Sequence, residues 1–388
     1  ASKTLTAHHS RIKTAIQSKA VSYDVKYEYT TLLNGMSADV KFGDLEKLAS
    51  TAGVKEVYLA NYYDEPVVMP SMDSANDMTN ITKVRDKDTG KGTVIAVIDT
   101  GITPGHEAFT AYDSMLNKAA ISKEQAEAAI EKLGRGRYLS AKVPFSYDYY
   151  DKDNDANDDV SGHGTHVSGI AAGCVLSDDG GYEFAGSAPG AQILALKVFS
   201  SDPAERGTSS DVYLAALEDA YTLGADVINM SLGAQNGFVY DGIEEKVLNG
   251  IFTTLDDAGV ICCIAAGNEG SMADGESITG VPAGYVTSDY ADYGVVGSPS
   301  TYDGNLSVAS VDNAKYASPA IEVDGAQIGY SDTVNAYNAL AGKTYAFVLV
   351  PGNGEEADYD GINVTGKVAV IKRGSISFVD KVNNADAA

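Results

Sequence analysis

The sequence predicts an α/β fold built on a parallel, doubly wound sheet with helices on both faces. Three observations predict it. Residues 93–98, 193–199, 225–230 and 260–265 are short continuous apolar runs, the pattern of strands buried on both faces. Helical segments separate them, 210–223 closed by Gly224 and 243–258 closed by Gly259. Finally, Asp99, Ser231 and Asn268 fall just past strand ends, where sheets of this kind place their ligands.

Along the chain, residues 1–63 read as a small α+β unit. A helix is expected over 9–20, strands over 23–30 and 35–41, a helix capped by Asp44 and ending near Gly53, and a last strand over 54–59. That order is ferredoxin-like, short of its first strand. Residues 64–77, rich in Pro, Ser, Met and Asp, read as a linker. The parallel-sheet region occupies 78–317. Within it, Ser122 and Gln125 form a capping box for a helix that Gly134 ends. From 318 the pattern changes to short β runs at 346–350 and 367–371, then a helix from Phe378.

Bulk properties narrow the classes of function. Lys+Arg of 28 against Asp+Glu of 54 give a net charge of −26, which repels phosphate backbones and anionic lipid. Nucleic acid is therefore not an expected partner. No stretch reaches the length of a membrane span. The three cysteines, Cys174, Cys262 and Cys263, form no disulfide framework, and the adjacent pair sits in an apolar run as small buried hydrophobes.

Three strings carry the chemistry. Asp99 ends Val94-Ile95-Ala96-Val97-Ile98 and precedes Thr100-Gly101. His163 lies in Ser161-Gly162-His163-Gly164-Thr165-His166-Val167-Ser168-Gly169, and Asn268 in Ala265-Ala266-Gly267-Asn268-Glu269-Gly270. Singly, each has a plainer explanation: a turn aspartate, a structural histidine, a turn asparagine. Together and in this order they resemble the subtilisin-like serine peptidases (subtilases), in which the nucleophilic serine comes last; that chain order is subtilisin's own.

The resemblance implies a serine endopeptidase acting on proteins or peptides. Asp99 would orient the base, His163 would take the serine proton, and Asn268 would give its side-chain amide to the oxyanion. Ser231, Leu232 and Gly233, with Ala265, Ala266 and Gly267, would line the substrate cleft. Residues 1–63 resemble the family's inhibitory propeptide, trimmed at its N-terminus, and 64–77 its processing linker. The run Gly366-Lys367-Val368-Ala369-Val370-Ile371-Lys372-Arg373-Gly374, followed by Phe378-Val379-Asp380-Lys381-Val382, resembles the start of a protease-associated (PA) domain. Such an insert belongs to the cell-envelope branch, the lactocepin and C5a-peptidase type, and implies a secreted or cell-surface protein.

No serine in the family's nucleophile context occurs before Ala388. The expectation is that the remaining C-terminal part of the protein supplies it and that residues 1–388 alone are inactive. Gly207-Thr208-Ser209-Ser210 echoes the nucleophile motif but lacks its alanine and proline, and Ser209 or Ser210 reads as a helix N-cap instead. The alternative function is a pseudoenzyme or protein-binding scaffold that lacks the nucleophile. No cofactor is required. Calcium is a candidate ligand because Asp151, Asp153 and Asp155 alternate in an acidic loop, but Ala156 stands where an EF-hand loop needs glycine and no glutamate follows at the twelfth place, so a solvated acidic loop is the plainer reading. His166 lacks the glutamate of a His-Glu-x-x-His zinc helix and reads as structural.

Overall fold

The computed structural model describes residues 2–66, 75–85, 87–110, 119–178, 181–202, 204–205, 207–234, 243–268, 296–311, 319–330, 340–372 and 378–388. Outside them fall residues 67–74 of the linker, Glu269-Gly270 of the asparagine motif and Arg373-Gly374 of the PA-like run. The chain divides into two compact units, Ala1–Tyr316 and Ala317–Ala388.

Unit one begins with α1 (Ser2–Ser18), β1 (Tyr23–Tyr29), β2 (Gly35–Val40) and the short α2 (Leu45–Ala49). β1 and β2 pair antiparallel, and Ile12, Ile16 and Val21 form a small core beneath them. The strand expected at 54–59 does not form. Those residues are irregular, and the strand appears later, as β3 (Tyr62–Asp64). Its partner is in the following region, so residues 1–63 hold only a two-stranded sheet and the ferredoxin-like expectation is not met among the described residues.

Next come two short helices, α3 (Ala75–Met78) and α4 (Ile81–Arg85), then β4 (Val94–Asp99), α5 (Glu107–Thr110), α6 (Lys123–Leu133) and β5 (Phe145–Asp148). α6 starts with the predicted Ser122/Gln125 capping box and ends at Gly134, left-handed at φ 69°. α7 (His163–Ala172) follows, then the hairpin β6 (Cys174–Leu176) and β7 (Tyr182–Ala185), β8 (Gln192–Lys197), β9 (Gly207–Ser209) and α8 (Ser210–Thr222). β10 (Val227–Met230), α9 (Ile243–Asp257), β11 (Ile261–Ala265) and β12 (Leu306–Val308) complete the unit.

The main sheet has the order β12-β11-β10-β4-β8-β5 with all pairs parallel. The chain leaves β4 to build β5 and β8 on one side, then crosses to add β10, β11 and β12 on the other. β4 is therefore the strand beside which winding reverses, and Asp99 ends it. Alternation across the sheet divides the core in two. Ala96, Ile98, Leu194, Leu196, Ile228 and Met230 pack on α8 and α9 residues such as Tyr213, Leu217, Leu248 and Phe252. Val97, Ile193 and Ala195 share the other cluster with Ala172 of α7. Every residue of β8 is buried, the apolar run Ile193–Leu196 and also Gln192 and Lys197 at its ends.

Unit two contains the antiparallel pair β13 (Ala320–Val323) and β14 (Ala326–Gly329), the parallel pair β15 (Phe347–Leu349) and β16 (Val368–Val370), and helix α10 (Phe378–Ala387). Val350, Tyr359 and Val364 are its buried core.

Leu196 is fully buried in β8, between β4 and β5. Leu196→Ala is expected to lower unfolding stability by about 2–5 kcal/mol. A urea denaturation midpoint equal to the wild type's would show that this sheet is not the core.

Candidate active site

Helix α7 and the end of β4 meet at an unusually short separation. A Cβ at Gly164 would lie 2.3 Å from the Gly101 carbonyl oxygen and 3.2 Å from the Asp99 Cβ. Only a residue without a side chain lets the helix start so near the strand end. Gly101 is similarly required: its φ is +121°, and a Cβ there would fall 2.6 Å from the Ala156 carbonyl oxygen. His163 is the first residue of α7, after Gly162 at φ 77°.

This closeness places His163 Nδ1 2.7 Å from Asp99 Oδ1. A carboxylate can only accept, so Nδ1 carries the proton and Nε2 is left with its lone pair. Asp99 is 1% exposed and the His163 side chain 12%, so the carboxylate is sealed while the ring retains an open edge. Asp99 Oδ1 also accepts from the Thr100 amide at 2.7 Å. Lys197, buried beside it on β8, donates to the Thr100 carbonyl at 2.9 Å and fixes the same turn.

Each partner changes the other's proton affinity. Burial pushes the Asp99 carboxyl above its usual range, against the pull of the His163 hydrogen bond and charge. For His163, burial disfavours the imidazolium, but the Asp99 hydrogen bond and charge outweigh it. Asp158 and Glu65 add to that, so its pKa rises above 6.5. The two groups titrate as a pair.

Beside the dyad runs an extended segment from the N-terminal region. β3 pairs antiparallel with β9, Tyr62 opposite Ser209, Tyr63 opposite Thr208 and Asp64 opposite Gly207. The Ser210 amide donates to the Asn61 carbonyl at 2.9 Å. Tyr63 is 1% exposed, its ring edge-on to Tyr213 of α8 at 5.5 Å. Gly207 leaves room for the Tyr62 ring, which lies against it where a Cβ would otherwise stand. Glu65 follows at the His163 side. The sequence reads Ser209 or Ser210 as the α8 N-cap and not as a nucleophile; Ser209 holds the N-cap position, and its hydroxyl donates to the Asp211 carboxylate. What was missed is the use of 207–209 as a docking edge. A glycine two residues before the helix N-cap was the available signal.

The other predicted residues lie at the same end of the sheet. Ser231 and Ala265 are level with Asp99 in the β4, β10, β11 register. Ser231 accepts from the Asn229 side chain at 3.0 Å, and Leu232 is buried. Ala234 exchanges both backbone hydrogen bonds with Ser298, while the Ala266 carbonyl accepts from Gly297, so residues 231–234 and 265–268 share one neighbouring segment. Gly233 approaches the Ser298 carbonyl closely, a Cβ there lying at 3.1 Å. Gly267 is left-handed at φ 111°, and Asn268 is exposed just beyond it, two strands from Asp99.

The calcium candidates Asp151, Asp153 and Asp155 do not form a common site among the described residues. Asp151 accepts from the Ser201 amide, Asp153 from Asp155 and Asp155 from Asn157, so the three carboxylates serve separate turns and do not converge. Among the described residues no group of three His, Cys, Asp or Glu could hold a metal ion. Asp148, which opens this loop, is buried and pushed up to about 7, chiefly by that burial. None of the three cysteines is joined in a disulfide. No described helix is long and apolar enough to cross a membrane.

Residues 90–371 match the Subtilase family, Peptidase S8, and the chain belongs to that family. It is 33% identical over 397 residues to the PII-type proteinase of Lactococcus lactis subsp. cremoris, covering 98% of this chain and 20% of the relative. It is also 33% identical over 321 residues to the C5a peptidase of Streptococcus pyogenes, covering 81% of this chain and 26% of that one. The chain thus spans about a fifth to a quarter of these relatives' length. The crystal structure of fervidolysin from Fervidobacterium pennivorans aligns with a TM-score of 0.45 at 18% identity, over 68% of this chain and 38% of that one.

The 388 residues include five histidines, so His163 can be followed individually by NMR. Its wild-type titration midpoint is expected above 6.5, and Asp99→Asn is expected to lower it. A midpoint indifferent to that substitution would dissolve the dyad. Gly164→Ala, which pushes α7 off the strand end, is expected to lower it as well.

Proposed function

We propose that the protein is a serine endopeptidase of the cell-envelope subtilase type, made as a self-inhibited zymogen and secreted or held at the cell surface. The single observation that carries this proposal is the 2.7 Å contact from His163 Nδ1 to Asp99 Oδ1 at the carboxyl end of a parallel sheet. It leaves Nε2 as the base and a sealed carboxylate behind it.

The chemistry is acyl transfer to a serine lying outside residues 1–388. As the serine oxygen bonds to the peptide carbonyl carbon, its proton passes to His163 Nε2 and the carbonyl electron pair moves onto oxygen. Asp99 stabilises the imidazolium so formed. Asn268, from the loop after β11, donates to the oxyanion; in subtilisin itself the loss of that donor costs about 10²–10³ in turnover. Collapse expels the amine, which takes the proton from Nε2, and water repeats the sequence on the acyl ester. Ser231, Leu232, Gly233, Ala265, Ala266 and Gly267 would flank the substrate. The chemistry requires no metal or organic cofactor.

Residues 1–66 act as the inhibitor in this proposal. What supports it is the β3–β9 pairing, which occupies an edge an extended substrate would use. A second contact supports it from the outer side of α8. Glu218, 8% exposed, accepts from four consecutive amides, Thr30, Thr31, Leu32 and Leu33, at 2.7–3.1 Å. Tyr29 adds a bond to the Asp211 carbonyl at 2.7 Å.

In the full-length protein, a fluorophosphonate probe is expected to label one serine, and His163→Ala to abolish the labelling. A full-length species freed of residues 1–66 that takes no label would defeat the proposal and leave a binding scaffold. Asp99→Asn should reduce kcat by about 10⁴-fold, because the imidazole then loses its orienting charge. Glu218→Ala strands four amides, and inhibition by the 1–66 segment is expected to weaken by roughly 10–100-fold. An unchanged inhibition constant would remove Glu218 from the inhibitory contact.

A further inference from the structure

We propose that Asp158 is a positioning residue for the dyad, one carboxylate that ties the strand end bearing Asp99 to the helix bearing His163. This rests on the proposed role of His163 as the base.

Asp158 lies in the acidic loop before α7 and is 5% exposed. Its Oδ1 accepts from the Thr100 hydroxyl at 2.9 Å and from the Gly162 amide at 2.9 Å. Its Oδ2 accepts from the Thr165 amide at 2.8 Å. Thr100 Oγ1 in turn accepts from the Gly164 amide at 2.8 Å. The amides on both sides of His163 are thus held, one directly and one through Thr100, by groups anchored next to Asp99.

An ordinary helix cap does less. The N-cap of α7 is Gly162, which has no side chain to satisfy the first amides, so capping falls to a carboxylate four residues earlier. That carboxylate also takes a hydroxyl from the residue after Asp99. Rotation of α7 about its first turn would break the Gly162, Gly164 and Thr165 contacts together, and with them the direction of the imidazole. Four charged or titratable groups face His163: Asp99 from β4, Asp158 from the preceding loop, Glu65 from the segment after β3, and His166 one turn along α7. Asp158 is fixed by the fold, whereas Glu65 belongs to the segment proposed to leave. Its negative charge sits at the positive end of α7 and favours the imidazolium that forms when the base takes its proton.

The test is NMR titration of His163 in the 388-residue chain, with the downfield Nδ1–H resonance as a second signal. Asp158→Asn keeps the shape but loses the charge and one accepting oxygen. The His163 midpoint is expected to fall by on the order of one unit, and the Nδ1–H signal to broaden. Thr100→Val keeps Asp158 and cuts only the link; it should broaden the same signal, and Thr100→Ser should restore it. If Asp158→Asn does not fold, the Thr100 pair decides. In the full-length enzyme, Asp158→Asn should lower kcat by about 10²-fold with KM little changed.

Asp99→Asn separates the two proposals. If it leaves the midpoint in place, the dyad itself fails. If it lowers the midpoint while Asp158→Asn and Thr100→Val leave midpoint and resonance untouched, Asp158 is a helix cap only, and the positioning proposal is overturned.

Discussion

The constraint on which the rest depends is the fit of α7 against the end of β4. A helix and a strand normally stand off by the width of their side chains. Here Gly164 and Gly101 remove two of them, and backbone meets backbone. The gain is a 2.7 Å contact between groups whose parent elements are separated by a long insertion. The cost is a buried carboxylate, whose Oδ2 has no hydrogen-bond partner among the described residues. Such a group is held by an over-determined surrounding, and Lys197, Thr100 and Asp158 provide it.

The N-terminal segment is attached to the same framework. Arg135 makes two hydrogen bonds to the buried Asp219, and the Tyr149 hydroxyl makes a third at 2.7 Å. The Tyr149 carbonyl accepts from the Tyr27 hydroxyl of β1. Lys152 lies over the Tyr27 ring at 4.5 Å. β1 thereby rests on α8 and on the loop after β5, the elements that frame Asp219. Residues 1–63 belong to the first compact unit for this reason, despite reading in sequence as a domain of their own.

How far the fold and site were legible follows from the range of the interactions. The buried strands announced themselves because both faces must be apolar, and Gly224 and Gly259 marked helix ends because both adopt positive φ. Asp99 and His163 were legible because their glycine neighbours are imposed by close backbone contact. The strand expected at 54–59 was misplaced: β3 is defined by its partner 145 residues on, and local alternation carries no trace of such a partner. The bonding within the acidic loop was hidden for a related reason. Alternating aspartates suit a cation, but Asp151, Asp153 and Asp155 serve turn amides, and Asp158, which the pattern did not single out, is the one tied to the dyad. Nothing local singles out Glu218, because the four amides it accepts arrive from residues 30–33.

Glu218 has a consequence for chemistry aimed at this protein. Its oxygens are engaged by the amides of residues 30–33, a turn that has no reacting bond. A compact mimic presenting adjacent N–H groups would engage that acid without entering the cleft. Joined to a tyrosine-like arm seated against Tyr213, it would grip two faces of one helix. Discrimination among related enzymes would then come from the shape of α8 rather than from a nucleophile they all share.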